Sequence, residues 1–154
     1  MRSLKNNMDF KDFKYYHSSI ILFCQCIEHD LKWIYSYMKY RYTNDTKEPV
    51  DIFNELNDKK WNFGNILNKL KVLDNKTGNE NLISNDDYNF LKQMKDKRNF
   101  WCHKCFIEFI YSKNWMYSNK YLKISKKLKS DYERFSEISK KIEDLRLNFI
   151  NQNS

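Results

Sequence analysis

The chain has 154 residues, a formal net charge of +8 and an isoelectric point near 9.2, which predicts one domain with its own core rather than two. Two Gly, one Pro and no Ala argue against a turn-rich β architecture and leave long helices with few connections. The longest apolar stretch, Ile20 to Cys24, is too short to span a bilayer, and "MRSLKNNMDFKDFKYY" lacks the apolar run of a signal peptide, so a soluble cytoplasmic protein with reduced thiols is expected.

The first helical signal runs from about Asp12 to Arg41. Phe13, Ile20, Phe23, Ile27, Leu31, Ile34 and Met38 form one apolar stripe, with spacings of three, four and one gap of seven. Glu28, Asp30 and Lys32 lie off that stripe. "TNDTKEPVD" breaks the pattern and Pro49 closes the break. A shorter helix follows over Asn62 to Leu73. The polar "DNKTGNENLISNDD" ends in an N-cap at Ser84 or Asn85, with Asp86 and Asp87 in the first turn of the next helix.

That third long helix is expected to carry Tyr88, Leu91, Met94, Trp101, Cys105 and Phe109, and within it the stretch "KRNFWCHK". "SKNWMYSNK" is the next break. The last helix, Lys120 to Phe149, shows a heptad seam of Tyr121, Ile124, Leu128, Phe135, Ile138, Ile142, Leu145 and Phe149, with only Asp131 out of character. No strand, repeat or low-complexity tract appears. The fold class expected is all-α, a single-domain up-and-down bundle of about four main helices over residues 1–154. Aromatic residues make up 17% of the chain, more than one small bundle needs, which points to a homodimer.

The four Cys fall in "CQC" (Cys24, Cys26) and "CHKC" (Cys102, Cys105). On an α-helix Cys102 and Cys105 would share a face, but Cys24 and Cys26 diverge by about 200° at about 100° per residue. A four-thiolate zinc site is therefore not expected, and small buried residues are the better assignment. The positive charge fits a nucleic-acid partner, while abundant Lys and Asn without Ala also fit low-GC coding.

In "KRNFWCHK" three polar groups stand among three apolar ones: Arg98, Asn99 and His103 beside Phe100, Trp101 and Cys102. Such a set can be a satisfied piece of core or a small catalytic apparatus. An imidazole titrating near neutrality can take a proton from a ribose 2′-hydroxyl or give one to a leaving 5′-oxygen. A guanidinium can hold a phosphate at two points and stabilise its transition state. Asn99, one turn before His103, can orient the ring or the phosphate, and Lys104 can add phosphate attraction. No metal or other cofactor is needed. Geometry sets one difficulty: residues five apart lie about 140° apart around an ideal helix. The length of Arg98, or two antiparallel copies of the helix sharing one site, would resolve it.

Arg-Asn-x3-His late in the third helix of a helical bundle resembles the HEPN superfamily (higher eukaryotes and prokaryotes nucleotide-binding), in its ribonuclease form. "RNFWCH" carries the motif, and "WNFGNILNKLK" and "CIEHDLKWIY" also look like segments of prokaryotic HEPN proteins. The likeness spans roughly Asp12 to Phe149. It implies a metal-independent endoribonuclease active as a homodimer, with Arg98, Asn99 and His103 catalytic and RNA as substrate. It further implies a toxin of a toxin–antitoxin pair or an abortive-infection effector against phage, with a protein inhibitor of the antitoxin kind as a partner. Glu28 matches an acidic position that often faces the cleft in this family and would orient Arg98. A variant with Tyr two residues after the His is not matched, since that position is Cys105. The competing readings are a non-catalytic helical module that binds nucleotides or a protein, and a purely structural helical dimer. His17 and His29 receive no role.

Overall fold

A computed structural model describes residues 7–44, 46–59, 62–76 and 80–152. Trp61, at the head of one segment likened to HEPN proteins, lies outside them, as do 77–79 of the expected polar loop, Asp45 of the first break and the first six residues. All regular structure among the described residues is helical. Five α-helices occur: α1 Phe10–Tyr42, α2 Pro49–Asp58, α3 Phe63–Lys76, α4 Asn85–Asn99 and α5 Asn119–Gln152. Among the described residues no helix is long and apolar enough to cross a membrane.

Helices α1 and α5 stand where the periodicity puts them. The α1 stripe is buried at Phe13, Ile20, Ile27, Leu31, Ile34 and Met38, as is the α5 seam except at half-buried Leu145. Asp12 in the first turn of α1 and Lys39 and Arg41 in its last turn complement the helix dipole. Ser84 caps α4, its Oγ accepting from the Asp87 amide at 3.1 Å. Helix α2 was not expected. Pro49 opens it, at a position where the missing amide hydrogen costs nothing. Ile52 and Leu56, one turn apart, bury its inner face. Ten residues give too few periods to stand out beside a proline.

The chain forms two compact units. The first comprises Met1–Cys24 and Asp96–Glu137, the second Gln25–Lys95 and Ile138–Ser154. In the first, Phe13 is the centre of an aromatic cluster. Its ring lies 5.5 Å from Phe109, 5.6 Å from Tyr121 and 5.8 Å from Phe106, within the range where edge and tilted contacts add to burial. Trp115, in a 3-10 turn over Trp115–Tyr117, closes the cluster at 5.3 Å from Phe109. Asn114 precedes that turn in the left-handed region at φ 50°, which Asn tolerates better than most residues.

The second unit is fastened by buried carboxylates. Asp74 accepts from the Leu82 amide at 2.8 Å, the Ile83 amide at 3.3 Å and the Tyr88 hydroxyl at 2.7 Å. One side chain thus ties the residues that follow α3 to the start of α4. Asp30, off the apolar stripe yet buried, stands 2.9 Å from Arg146 Nε. The Arg146 guanidinium offsets the charge of a carboxylate that periodicity alone would place at the surface.

Burial first, and the Asp74 carboxylate second, push the Tyr88 phenol well above its ordinary range. A raised phenol pKa means that the folded state keeps a proton which the unfolded chain loses above about pH 10. Stability supplied by Tyr88 is therefore complete below that pH and lost as pH rises through the folded value. Denaturant unfolding of the native protein is expected to weaken more steeply above pH 10 than that of Tyr88→Phe. Equal slopes would show that the phenol ionises freely.

Candidate functional site

The "KRNFWCHK" stretch does not continue the α-helix. Helix α4 ends at Asn99, and Phe100–Lys104 form a π-helical turn, closed by the Cys105 amide donating to the Phe100 carbonyl at 2.9 Å. Beyond it, Cys105 to Tyr111 run in turns, so Cys105 and Phe109 are buried but do not belong to the long helix expected to carry them. A π turn is formed when one extra residue is accommodated, and its bonds skip five residues rather than four.

That extra residue changes which side chains share a face. Rotation per residue falls below the 100° of an α-helix, so the offset between Arg98 and His103 shrinks from the ideal value. Local backbone geometry thus eases the difficulty that side-chain length or a second copy had to meet. Cys102 and Cys105 are affected in the opposite way: Cys102 is exposed and Cys105 buried. The two do not share a face, because three residues fall further short of a full turn here. Burial pushes the Cys105 thiol up to about 11, the wrong direction for a thiolate ligand. Cys26 is exposed as well, so the expectation of small buried residues holds only for Cys24 and Cys105.

Two polar side chains hold the π turn through Trp101, which is fully buried. Asp131 of α5 accepts from the Trp101 indole nitrogen at 2.9 Å through one oxygen and from Lys97 Nζ at 3.2 Å through the other. His17 of α1 lies with Nε2 2.6 Å from the Trp101 carbonyl oxygen. A carbonyl can only accept, so Nε2 carries the proton and donates. The Trp101 carbonyl would serve the Cys105 amide in an α-helix; the π turn diverts that amide to Phe100. His17 and the Cys105 thiol, at 3.2 Å, take its place. His17 also lies 5.1 Å from the Phe106 ring and nearly parallel to Phe13.

His17 has no partner recognisable from the sequence, yet a signal existed. His17 fills the gap of seven between Phe13 and Ile20 on the α1 stripe, four residues from one and three from the other. A polar residue at a core position calls for a polar partner.

The motif's own side chains divide by environment. Arg98 is half-buried, whereas Asn99, His103 and Lys104 are exposed. Among the described residues none bonds the His103 imidazole or the Asn99 amide. Lys127 of α5 places its ammonium 4.0 Å from the centre of the half-buried Phe100 ring, a cation–π contact. Glu28 belongs to the second unit, where its carboxylate stands 3.9 Å from Lys32 Nζ, one turn along α1. His29 lies 3.5 Å from Asp30 and edge-on to Phe53.

No family model, no curated protein and no solved structure matches this chain.

If His17 and Asp131 hold the π turn, removing Asp131 leaves the buried Trp101 indole N–H without its acceptor, and removing His17 leaves the Trp101 carbonyl only the weak Cys105 thiol donor. His17→Ala and Asp131→Ala are each expected to cost about 1–3 kcal/mol of unfolding free energy, with faster hydrogen exchange at the Cys105 amide. His17→Gln, which keeps an N–H donor, should lose less. An unchanged exchange rate in His17→Ala would show that the turn stands without this clamp.

Proposed function

We propose that the chain is a metal-independent endoribonuclease of the HEPN kind. In this reading it acts as a homodimer, two copies of the Arg98–His103 motif serving one cleft, and works as a toxin or an anti-phage effector. One observation carries the reading: the backbone leaves α-helical geometry at the motif itself, in a π turn anchored from two other helices, while His103 and Asn99 stand exposed. Departures of this kind concentrate at functional sites. A motif that served only the core would put its imidazole inside with a partner, as His17 is placed.

The reaction is a transesterification. The ribose 2′-oxygen attacks the adjacent phosphorus and the bond to the 5′-oxygen breaks. One imidazole takes the 2′-hydroxyl proton, and an imidazole of the second copy returns a proton to the leaving oxygen. The Arg98 guanidinium offers two parallel donors to the phosphate as its charge grows, and Lys104 adds attraction. The products are a 2′,3′-cyclic phosphate, or its opened form, and a 5′-hydroxyl. His103 has no orienting partner among the described residues, so its direction must come from the substrate or the second copy. Symmetric dimers meet such a need with one repeated patch. A cytoplasmic setting and a protein inhibitor of the antitoxin kind complete this reading.

Charge supports the choice of substrate. The first unit holds fourteen Lys and Arg against seven Asp and Glu, the second fourteen against thirteen. Low-GC coding enriches Lys throughout a chain. It does not gather nearly all of the net charge in one unit.

The purified protein is expected to fragment total RNA in EDTA. His103→Ala should lower the cleavage rate by about 10²–10⁴-fold with the melting temperature within about 1–2 °C of wild type, since an exposed residue adds little to stability. Arg98→Lys should fail nearly as badly, because an ammonium keeps the charge but loses the planar two-point grip. A folded and fully active His103→Ala protein would end the catalytic reading in favour of a binding module.

Assembly gives a separate check. Light scattering at micromolar concentration should return about twice the chain mass of 19.1 kDa. A monomer at that concentration would remove the shared cleft.

A further inference from the structure

We infer that one side of α5, presenting Lys120, Lys123 and Lys127 and continued by Lys104 of the π turn, is the track that holds the phosphodiester backbone of the RNA strand. This rests on the nuclease reading for its purpose, but its evidence is separate and lies in how the lysines are partnered.

In the second unit some cations are matched by carboxylates, Lys47 with Glu55 at 2.6 Å, Arg146 with Asp30 at 2.9 Å and Lys141 with Asp87 at 3.5 Å, while scattered ones such as Lys92 and Lys95 are not; what sets α5 apart is a dense row. Within ten residues α5 carries Lys120, Lys123, Lys126, Lys127 and Lys129, all exposed. Among the described residues no carboxylate stands within ion-pair distance of any of them. Like charges three and four apart on a helix repel by a few tenths of a kcal/mol per pair. A surface that keeps such a row without counter-charges is matched by a polyanion.

Register selects a side. Residues 120, 123 and 127 recur at three and seven, one face of the helix. That face meets the motif: the Lys127 ammonium lies over Phe100, and Asp131, one turn further, holds Trp101 and Lys97. Lys104, four residues past Phe100, is exposed. Lys126 and Lys129 fall on another side, lining a cavity of about 310 Å³ with Tyr16 and Asp12. The carboxylate there makes it a poorer place for a phosphate chain. From Lys120 to Lys127 the helix rises about 10 Å, the span of about three phosphates at about 3.4 Å per stacked nucleotide. RNA is favoured over an acidic protein because regular, evenly spaced charge ends beside the residues placed for phosphate chemistry.

The test uses the full chain and a fluorescent twelve-nucleotide RNA with 2′-O-methyl groups throughout, which cannot be cut through its 2′-oxygen. Lys120→Gln/Lys123→Gln/Lys127→Gln is compared with Lys126→Gln/Lys129→Gln, folding being checked by circular dichroism. The triple variant is expected to bind at least tenfold more weakly at low salt. Its slope of log affinity against log salt should fall by about two, since each phosphate contact on a single strand contributes about 0.7. The control pair should bind within threefold of wild type. Equal losses in both variants would mean unspecific charge and overturn the track, as would an unchanged triple variant or lysine-dependent binding to acidic lipid vesicles without binding to RNA. Track-dependent binding with no cleavage of unmodified RNA would sink the nuclease reading alone.

Discussion

The hydrogen bond from the Cys105 amide to the Phe100 carbonyl spans five residues, and the arrangement of the site follows from it. Because that amide skips the Trp101 carbonyl, the carbonyl needs a donor from outside the helix. Buried carbonyls without partners are rare and costly. His17 supplies the donor from α1, and the indole of the same residue is held by Asp131 from α5. Trp101 is thus fixed at its backbone and at its ring by two helices. The residues around it, Arg98 to Lys104, inherit a turn that an α-helix would not give them.

Carboxylates do different work in the two units. Asp74 and Asp30 are buried among donors that fix local structure, and further carboxylates balance surface cations. Among the described residues of the first unit the one buried carboxylate is Asp131, and it is occupied by Trp101 and Lys97. By sequence the first unit carries an excess of seven positive charges out of the eight of the whole chain. Folding and the electrostatic field near the motif are therefore linked: the carboxylate that could have neutralised nearby lysines is already used inside.

Long-period features were legible in the sequence. The α1 stripe and the α5 seam are fixed by many repeated apolar positions, and Ser84 announces its cap by residue type. Helix α2 was hidden because ten residues hold little periodicity. The π turn was hidden for a different reason. Nothing in "FWCHK" distinguishes a backbone bond across five residues from one across four; the choice is settled by partners distant in the chain. Its trace was nevertheless present as interruptions. His17 falls in the one sevenfold gap of the α1 stripe, and Asp131 in the gap between Leu128 and Phe135 on α5. Both interruptions converge on Trp101. Polar residues at core positions of two helices are thus a readable sign of a polar clamp, although its target is not.

The mixture of polar and apolar residues in "KRNFWCHK" separates in the structure by task. Trp101 is buried, Lys97 and Asp131 pair beside it, and Phe100 is covered by Lys127; these contacts account for why the segment is ordered. Asn99 and His103 take no part in them, being exposed and bonded to no described residue. Burial energy and hydrogen bonding within the chain therefore explain Trp101 and leave His103 unexplained. Stability resides in the clamp, and under the nuclease proposal chemistry resides in the exposed imidazole, on the same turn but on different atoms. It follows that the clamp residues and the motif residues fail in distinguishable ways, the first by loosening the fold and the second by silencing a reaction in a fold left intact.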